Sequence, residues 1–178
     1  MPNDLVFKLV VTDSNKEVYE TILSYEVISS IVSSYPDKED SNEFFELAAQ
    51  HSASVVRENV AYKDSLSIDV LNLLSKDKSI AVLRNLVRTN AFRENATQDE
   101  ILDLINLDVE IAQTIANYVE SFEKADINTL ALALSKHDDP SVVASLAGNY
   151  GTPKKVLKTL VNHPDPYVAN EARSRLED

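Results

Sequence analysis

Three histidines are the only imidazoles in this chain, and two of them occupy matching places. His137 stands in Leu134-Ser-Lys-His-Asp-Asp-Pro140, and His163 in Leu160-Val-Asn-His-Pro-Asp-Pro166. Imidazole beside carboxylate is a ligand set for zinc and similar ions. The matching turns of stacked helical pairs, however, lie about 10 Å apart, the spacing of packed helices, which is too far for one ion. Asp139 and Asp165 also precede proline, where a carboxylate caps a helix. We therefore read these residues as turns and caps, and expect no metal and no cofactor.

Other chemistry is sparse. The absence of Cys removes disulfides, thiolate metal sites and cysteine nucleophiles, as a reducing compartment allows. Only two glycines, Gly148 and Gly151, argue against Rossmann turns and phosphate-cradling loops. No Gly-x-Ser-x-Gly, His-Glu-x-x-His or Ser-x-x-Lys set stands in the context its chemistry needs. Asp99, Glu100 and Asp103 fall at a helix start, where they complement the macrodipole.

Charge is distributed unevenly within a net of −12. Residues 99–126 hold eight acids against Lys124, with Asp103, Asp108 and Glu110 among them. Residues 54–93 carry Arg57, Lys63, Lys76, Lys78, Arg84, Arg88 and Arg93 against four acids. Arg84 and Arg88 are four apart, one face of a continuous helix. A solvated surface accounts for such charges. The functional alternative makes Arg57, Arg84, Arg88 and Arg93 a basic groove and Asp103, Asp108 and Glu110 an acidic contact patch.

The elements that must position these groups come from a repeat. Apolar pairs four apart recur at Val56/Val60, Val82/Leu86, Ile111/Ile115, Val142/Leu146 and Val168/Ala172. Upstream of each lies a pair three apart: Phe45/Ala48, Leu71/Leu74, Ile101/Leu104, Ala131/Leu134 and Leu157/Leu160. Both spacings mark one helix face. Ser41, Ser67, Thr97, Asp126 and Thr152 are placed to cap the first helices, Thr97 and Glu100 in capping-box form. Thr152-Pro153 reads as a cap followed by proline in the first turn. The unit is cap, helix, turn, helix, with anchors 26, 29, 31 and 26 residues apart.

The stretch from Thr152-Pro153 through Leu157, Leu160 and Asp165-Pro166 to Val168 resembles the leucine-rich repeat variant, a helical relative of the HEAT and armadillo solenoids. The resemblance implies a right-handed α-solenoid whose first helices are short and partly 3₁₀. Some relatives hold a cysteine-bound iron–sulfur cluster, which a chain without Cys does not carry. The family fixes no single activity, so the likeness reaches only to a binding surface.

The fold expected is all-α: a short right-handed α-solenoid of about five helical hairpins over residues 41–178, with residues 1–40 as an N-terminal cap. Within that cap Val18, Ile22, Tyr25, Ile28, Val32 and Tyr35 read as a helix from Asn15 to Tyr35 ended by Pro36. A strand over Leu5–Val11 paired with Glu17–Leu23 across Asp13–Lys16 is the competing reading. An exposed strand there would also allow a homodimer. Met1-Pro-Asn-Asp has no basic leader, and no run approaches the roughly 20 apolar residues of a membrane helix. We expect no membrane association and a cytoplasmic location.

A non-catalytic scaffold engaging a protein partner is the leading functional reading. The alternative is nucleic-acid binding or DNA glycosylase-like chemistry, by analogy with HEAT-like relatives, using the basic groove. The acidic net charge and the lack of Trp oppose it. A cofactor-processing or lyase-like helper rests on fold analogy alone.

Overall fold

All ten anchor residues of the second helices are sealed from solvent, each at 0% exposure. A computed structural model describes residues 5–177 and shows twelve α-helices and two strands among them. Residues 1–4, read above as lacking a basic leader, lie outside the described residues. The chain forms two compact units that divide at Ala91/Phe92. Each is built from antiparallel helical hairpins, the α-solenoid class. No helix among the described residues is long and apolar enough to cross a membrane.

The first unit begins with strands β1 (Lys8–Asp13) and β2 (Lys16–Ile22), followed by helix α1 (Tyr25–Ser34). The expected helix from Asn15 is thus corrected: it starts ten residues later, and the hairpin reading holds. Ser14 and Asn15 take φ of 47° and 66°, the paired left-handed conformation of a two-residue hairpin turn. Val18 and Ile22 misled because a step of four fits a strand's period of two as well as a helix turn. The strands are antiparallel, with Lys8 opposite Ile22 and Val11 opposite Tyr19, and a bulge leaves Val18 as the extra residue.

Helix α1 buries Ile28 and Val32 and packs on helix α3 (Ser54–Val60), as a second helix of a repeat does. Between them a 3₁₀ turn, Glu39–Ser41, leads into α2 (Asn42–Ala49). Ser41 does not cap α2; its hydroxyl donates to the Pro36 carbonyl at 2.6 Å. The next hairpin is α4 (Ile68–Leu74) and α5 (Ile80–Leu86), with Ser67 capping α4 through the Val70 amide. Side chains tie one hairpin to the next. The Asp37 carboxylate accepts from the Asp64 and Ser65 amides, and Asp64 from the Asn90 amide. Lys63, buried at 8% exposure, donates to the Ser33 and Tyr35 carbonyls at the end of α1. A cation there meets the negative end of the helix dipole.

The division falls inside α6 (Asn90–Asn95), a short helix the repeat pattern did not foresee. The second unit continues with α7 (Gln98–Ile105) and α8 (Val109–Asn117), a 3₁₀ turn at Val119–Ser121, then α9 (Ile127–Leu134), α10 (Pro140–Gly148), α11 (Lys154–Leu160) and α12 (Pro166–Glu177). The two longer anchor spacings are explained by α6 and the second 3₁₀ turn, both inserted after a second helix. Apart from the turn before α2, the first helices are regular α-helix of seven or eight residues.

Local sequence sets most helix starts. Thr97 and Glu100 form the complete reciprocal capping box. Thr97→Ala is expected to lower stability by about 1 kcal/mol, read from the urea midpoint. Asp126 accepts from the Asn128 and Thr129 amides, and the Thr129 and Asn128 side chains help hold its carboxyl below the ordinary pKa. At α11 the expectation is corrected. Pro153 occupies the cap position itself, and the Thr152 hydroxyl donates to the Leu146 carbonyl at the end of α10.

Candidate functional site

Second helices of the repeat begin with one device, used three times in the second unit. Asp108, Asp139 and Asp165 stand just before α8, α10 and α12 and accept from the backbone amides of their first turns. The Ser141 hydroxyl and amide hold the Asp139 carboxyl below its ordinary pKa. Two residues earlier a second acceptor shapes the turn. Nδ1 of His137 takes the Asp139 amide at 3.0 Å, and Nδ1 of His163 takes the Asp165 amide at 3.1 Å. In the first unit His51 does the same for Ala53, and Asp77 for Ser79. Counted back five residues from each anchor, these are one repeat position. His137 and His163, expected as turn residues, are themselves acceptors in those turns through Nδ1.

Each begun at an aspartate cap, α8, α10 and α12 lie side by side, with α10 packed between the other two. Their anchors face the core, so the residues at one before and two or three after the anchor face outward together. That outer face carries a groove of about 840 Å³. Gln113 and Asn117 come from α8, Ser141 and Ser145 from α10, Tyr167 and Glu171 from α12. Glu120, Asn149 and Tyr150 close one end and Asp165 the other helix start. Among the described residues, three carboxylates and no lysine or arginine line it. Tyr150 and Tyr167 are 84% and 64% exposed. The Arg175 guanidinium covers the Tyr150 ring at 3.6 Å from its centroid.

The groove floor is held by polar ties between repeats. Asn149 donates to the Asn117 carbonyl at 2.7 Å and accepts from the Gly151 amide, while Gln113 donates to the Ser141 hydroxyl. Gly151 is required by close approach: a Cβ there would sit 2.5 Å from Cβ of Glu120. At Gly148 a Cβ would meet only the Glu171 carboxylate at 3.6 Å. Gly151→Ala is therefore expected to cost about 1–3 kcal/mol by forcing the Glu120 backbone away. Gly148→Ala, in a helical position, is expected to be neutral or to stabilise by about 0.5 kcal/mol. Thermal unfolding of the two variants checks the contrast.

No family model matches this chain. No curated protein matches it either. Among solved structures, a designed armadillo repeat protein in complex with the peptide (KR)4 is similar at 14% identity, over 85% of this chain and 90% of that chain, with a TM-score of 0.42. That agreement is too loose to transfer detail of fold or function.

The residues proposed from sequence are scattered in role. Arg57 forms a two-pronged ion pair with Asp77, at 2.6 and 2.9 Å, and donates to the His51 and Ser52 carbonyls. Arg84 is half-buried in the last turn of α5. Arg88 is exposed in the turn beyond it, so the expected shared helix face is corrected: α5 ends at Leu86. Arg93 is buried at 8% exposure, with its guanidinium 4.3 Å from the Tyr118 ring centroid. Of the acids, Asp103 is exposed on α7, and Glu110 is half-exposed in the first turn of α8. Asp108 lines a smaller depression of about 480 Å³ together with Lys136, His137 and Asp138. Gln113, Asn117, Tyr167 and Glu171 were missed, although their offsets from the anchors were an available signal; Tyr150, in the turn after α10, offered none.

Proposed function

We propose that this chain is a non-catalytic binding scaffold whose second-helix groove on α8, α10 and α12 takes an extended segment of a protein partner. The groove itself carries the reading: it runs across three parallel helices and is lined by amides, hydroxyls and exposed tyrosines. An extended backbone offers alternating donors and acceptors, which Asn, Gln and Ser side chains match in both senses. Tyrosine contributes contact area at low entropy cost. Glu120, Asp165 and Glu171 favour a segment bearing Lys or Arg. Asp103, Asp108 and Glu110, and in the first unit Arg84 and Arg88, are secondary contact surfaces in this reading. Arg57 and Arg93 contribute through the fold, which weakens a four-arginine nucleic-acid groove.

Selection of peptides from a random display library against the whole chain tests this. Selected binders are expected to weaken about tenfold or more, roughly 1.4 kcal/mol, on Tyr167→Ala or Glu171→Lys. Asp103→Lys is expected to change them less. Binders indifferent to both groove substitutions would rule the groove out.

A further inference from the structure

The N-terminal hairpin is exposed on both faces although much of it is apolar. Leu9, Val10 and Val11 of β1 keep 44–47% of their surface in solvent, and Val18, Tyr19 and Ile22 of β2 keep 55–67%. A lone two-stranded ribbon is marginal in water and is stabilised by further strands or by packing on a helix. Here the one ring contact with a helix, among the described residues, is that of Phe7, at the open end beyond β1, with Phe44 of α2. Among the described residues β1 pairs with β2 alone, and no backbone hydrogen bond joins it to another element. Each strand therefore presents one open edge. On β2 that edge is interrupted by the bulge at Val18 and flanked by Glu17 and Glu20, features that discourage pairing. On β1 the run Leu9-Val10-Val11-Thr12 carries neither charge nor proline.

We propose that β1 pairs antiparallel with β1 of a second copy of this chain, on a two-fold axis through Val10. Such an axis, normal to a sheet, must pass through a residue and its own copy for opposed side chains to share a face. Centred on Val10, Leu9 faces Val11 of the partner subunit, and Lys8 faces Thr12 of the partner subunit. Centring on Leu9 would instead set Lys8 against Val10 of the partner subunit, and centring on Val11 would set Asp13 against Leu9 of the partner subunit inside the strand. The Val10 axis leaves Asp13 opposite Phe7 of the partner subunit, beyond the strand's end. With each copy's β2 outermost, Leu9, Val11 and Tyr19 of both copies form one continuous apolar face on a four-stranded sheet. On the other face the row of Lys8 ends at Glu17 of the partner subunit, a charge of opposite sign. The two Lys8 residues stay four positions apart along the strand, about 13 Å. No like charges are opposed, as a chain of net −12 needs in order to associate with itself.

Light scattering on the size-separated full chain, from micromolar to submillimolar concentration, gives the first readout. A mass of twice 19.8 kDa is expected for the wild type. Val10→Lys, which opposes two lysines at the axis, is expected to return it to a single 19.8 kDa chain with unchanged helical circular dichroism. Because the chain has no Cys, single-cysteine variants report position independently of any loss of folding. Mild oxidation is expected to cross-link Val10→Cys into a dimer and to leave Val18→Cys largely uncrosslinked. A wild-type monomer throughout, a dimer that survives Val10→Lys, or stronger cross-linking at Val18→Cys would each overturn the proposal.

Discussion

Phe45→Ala is expected to destabilise the protein by about 3–5 kcal/mol, the range for emptying an aromatic core site. Phe45 is at 0% exposure and among the largest sealed side chains. Its ring meets Tyr35 edge-on at 6.1 Å and lies 6.0 Å from that of Phe44. The Lys63 ammonium sits 5.5 Å from its centroid while donating to the end of α1. Alanine would therefore open a cavity and also unseat a buried cation that caps α1. Against a typical total stability of about 5–15 kcal/mol, that loss is large. Leu47→Ala, two residues on and 46% exposed, is expected to change stability by less than about 1 kcal/mol. Denaturant midpoints of the pair separate the two outcomes.

The second large effect is expected at Arg57. The Asp77 side chain is only 6% exposed and that of Arg57 is 17%. Removing the guanidinium leaves a buried carboxylate with its backbone partners alone, and strips donors from the His51 and Ser52 carbonyls. Arg57→Ala is expected to cost about 3 kcal/mol, the low end for breaking a buried pair because Arg57 keeps some solvent. Arg57→Lys rescues little, since an ammonium cannot reproduce the two-pronged contact. Removal of both partners is expected to cost less than the sum of the single losses.

The same pair gives a pH dependence whose sign follows from its shift. Burial pushes the Asp77 carboxyl up, but the Arg57 guanidinium and the Ser79 and Lys78 amides together bring it below its ordinary value. A lowered folded-state pKa stabilises the fold above the unfolded value of about 3.9 and is lost as pH falls through the folded value. Stability measured from pH 6 downward should thus fall below about pH 4 in the wild type. In Arg57→Ala the burial effect is less opposed, so the fall contributed by Asp77 is expected to be shallower. An acid limb of equal steepness in both proteins would contradict the assignment.

The anchors were readable because burial in a helix is a local periodic property. Each pair, from Val56/Val60 to Val168/Ala172, needs only its own spacing to declare which face is inside. The capping box at Thr97 and the Asp-Pro starts of α10 and α12 were readable for the same reason, since a cap and the amides it satisfies lie within three residues. Where the pattern failed, two local readings competed. Residues 15–22 satisfy helix and strand periods together, and the turn at Ser14 and Asn15 decided between them.

Charged side chains were less legible. Arg57 and Arg93 look like surface cations in the sequence, yet one holds Asp77 and the other lies beside Tyr118. Their partners are 20 and 25 residues away, and nothing in a linear charge count marks such pairs. The groove was hidden likewise: Gln113, Ser145 and Glu171 each resemble ordinary solvated residues until α8, α10 and α12 are set side by side. Helices, caps and the inward face follow from interactions within a few residues, which the order of amino acids already contains. The ion pair and the groove arise when groups distant along the chain meet, and only packing determines which do.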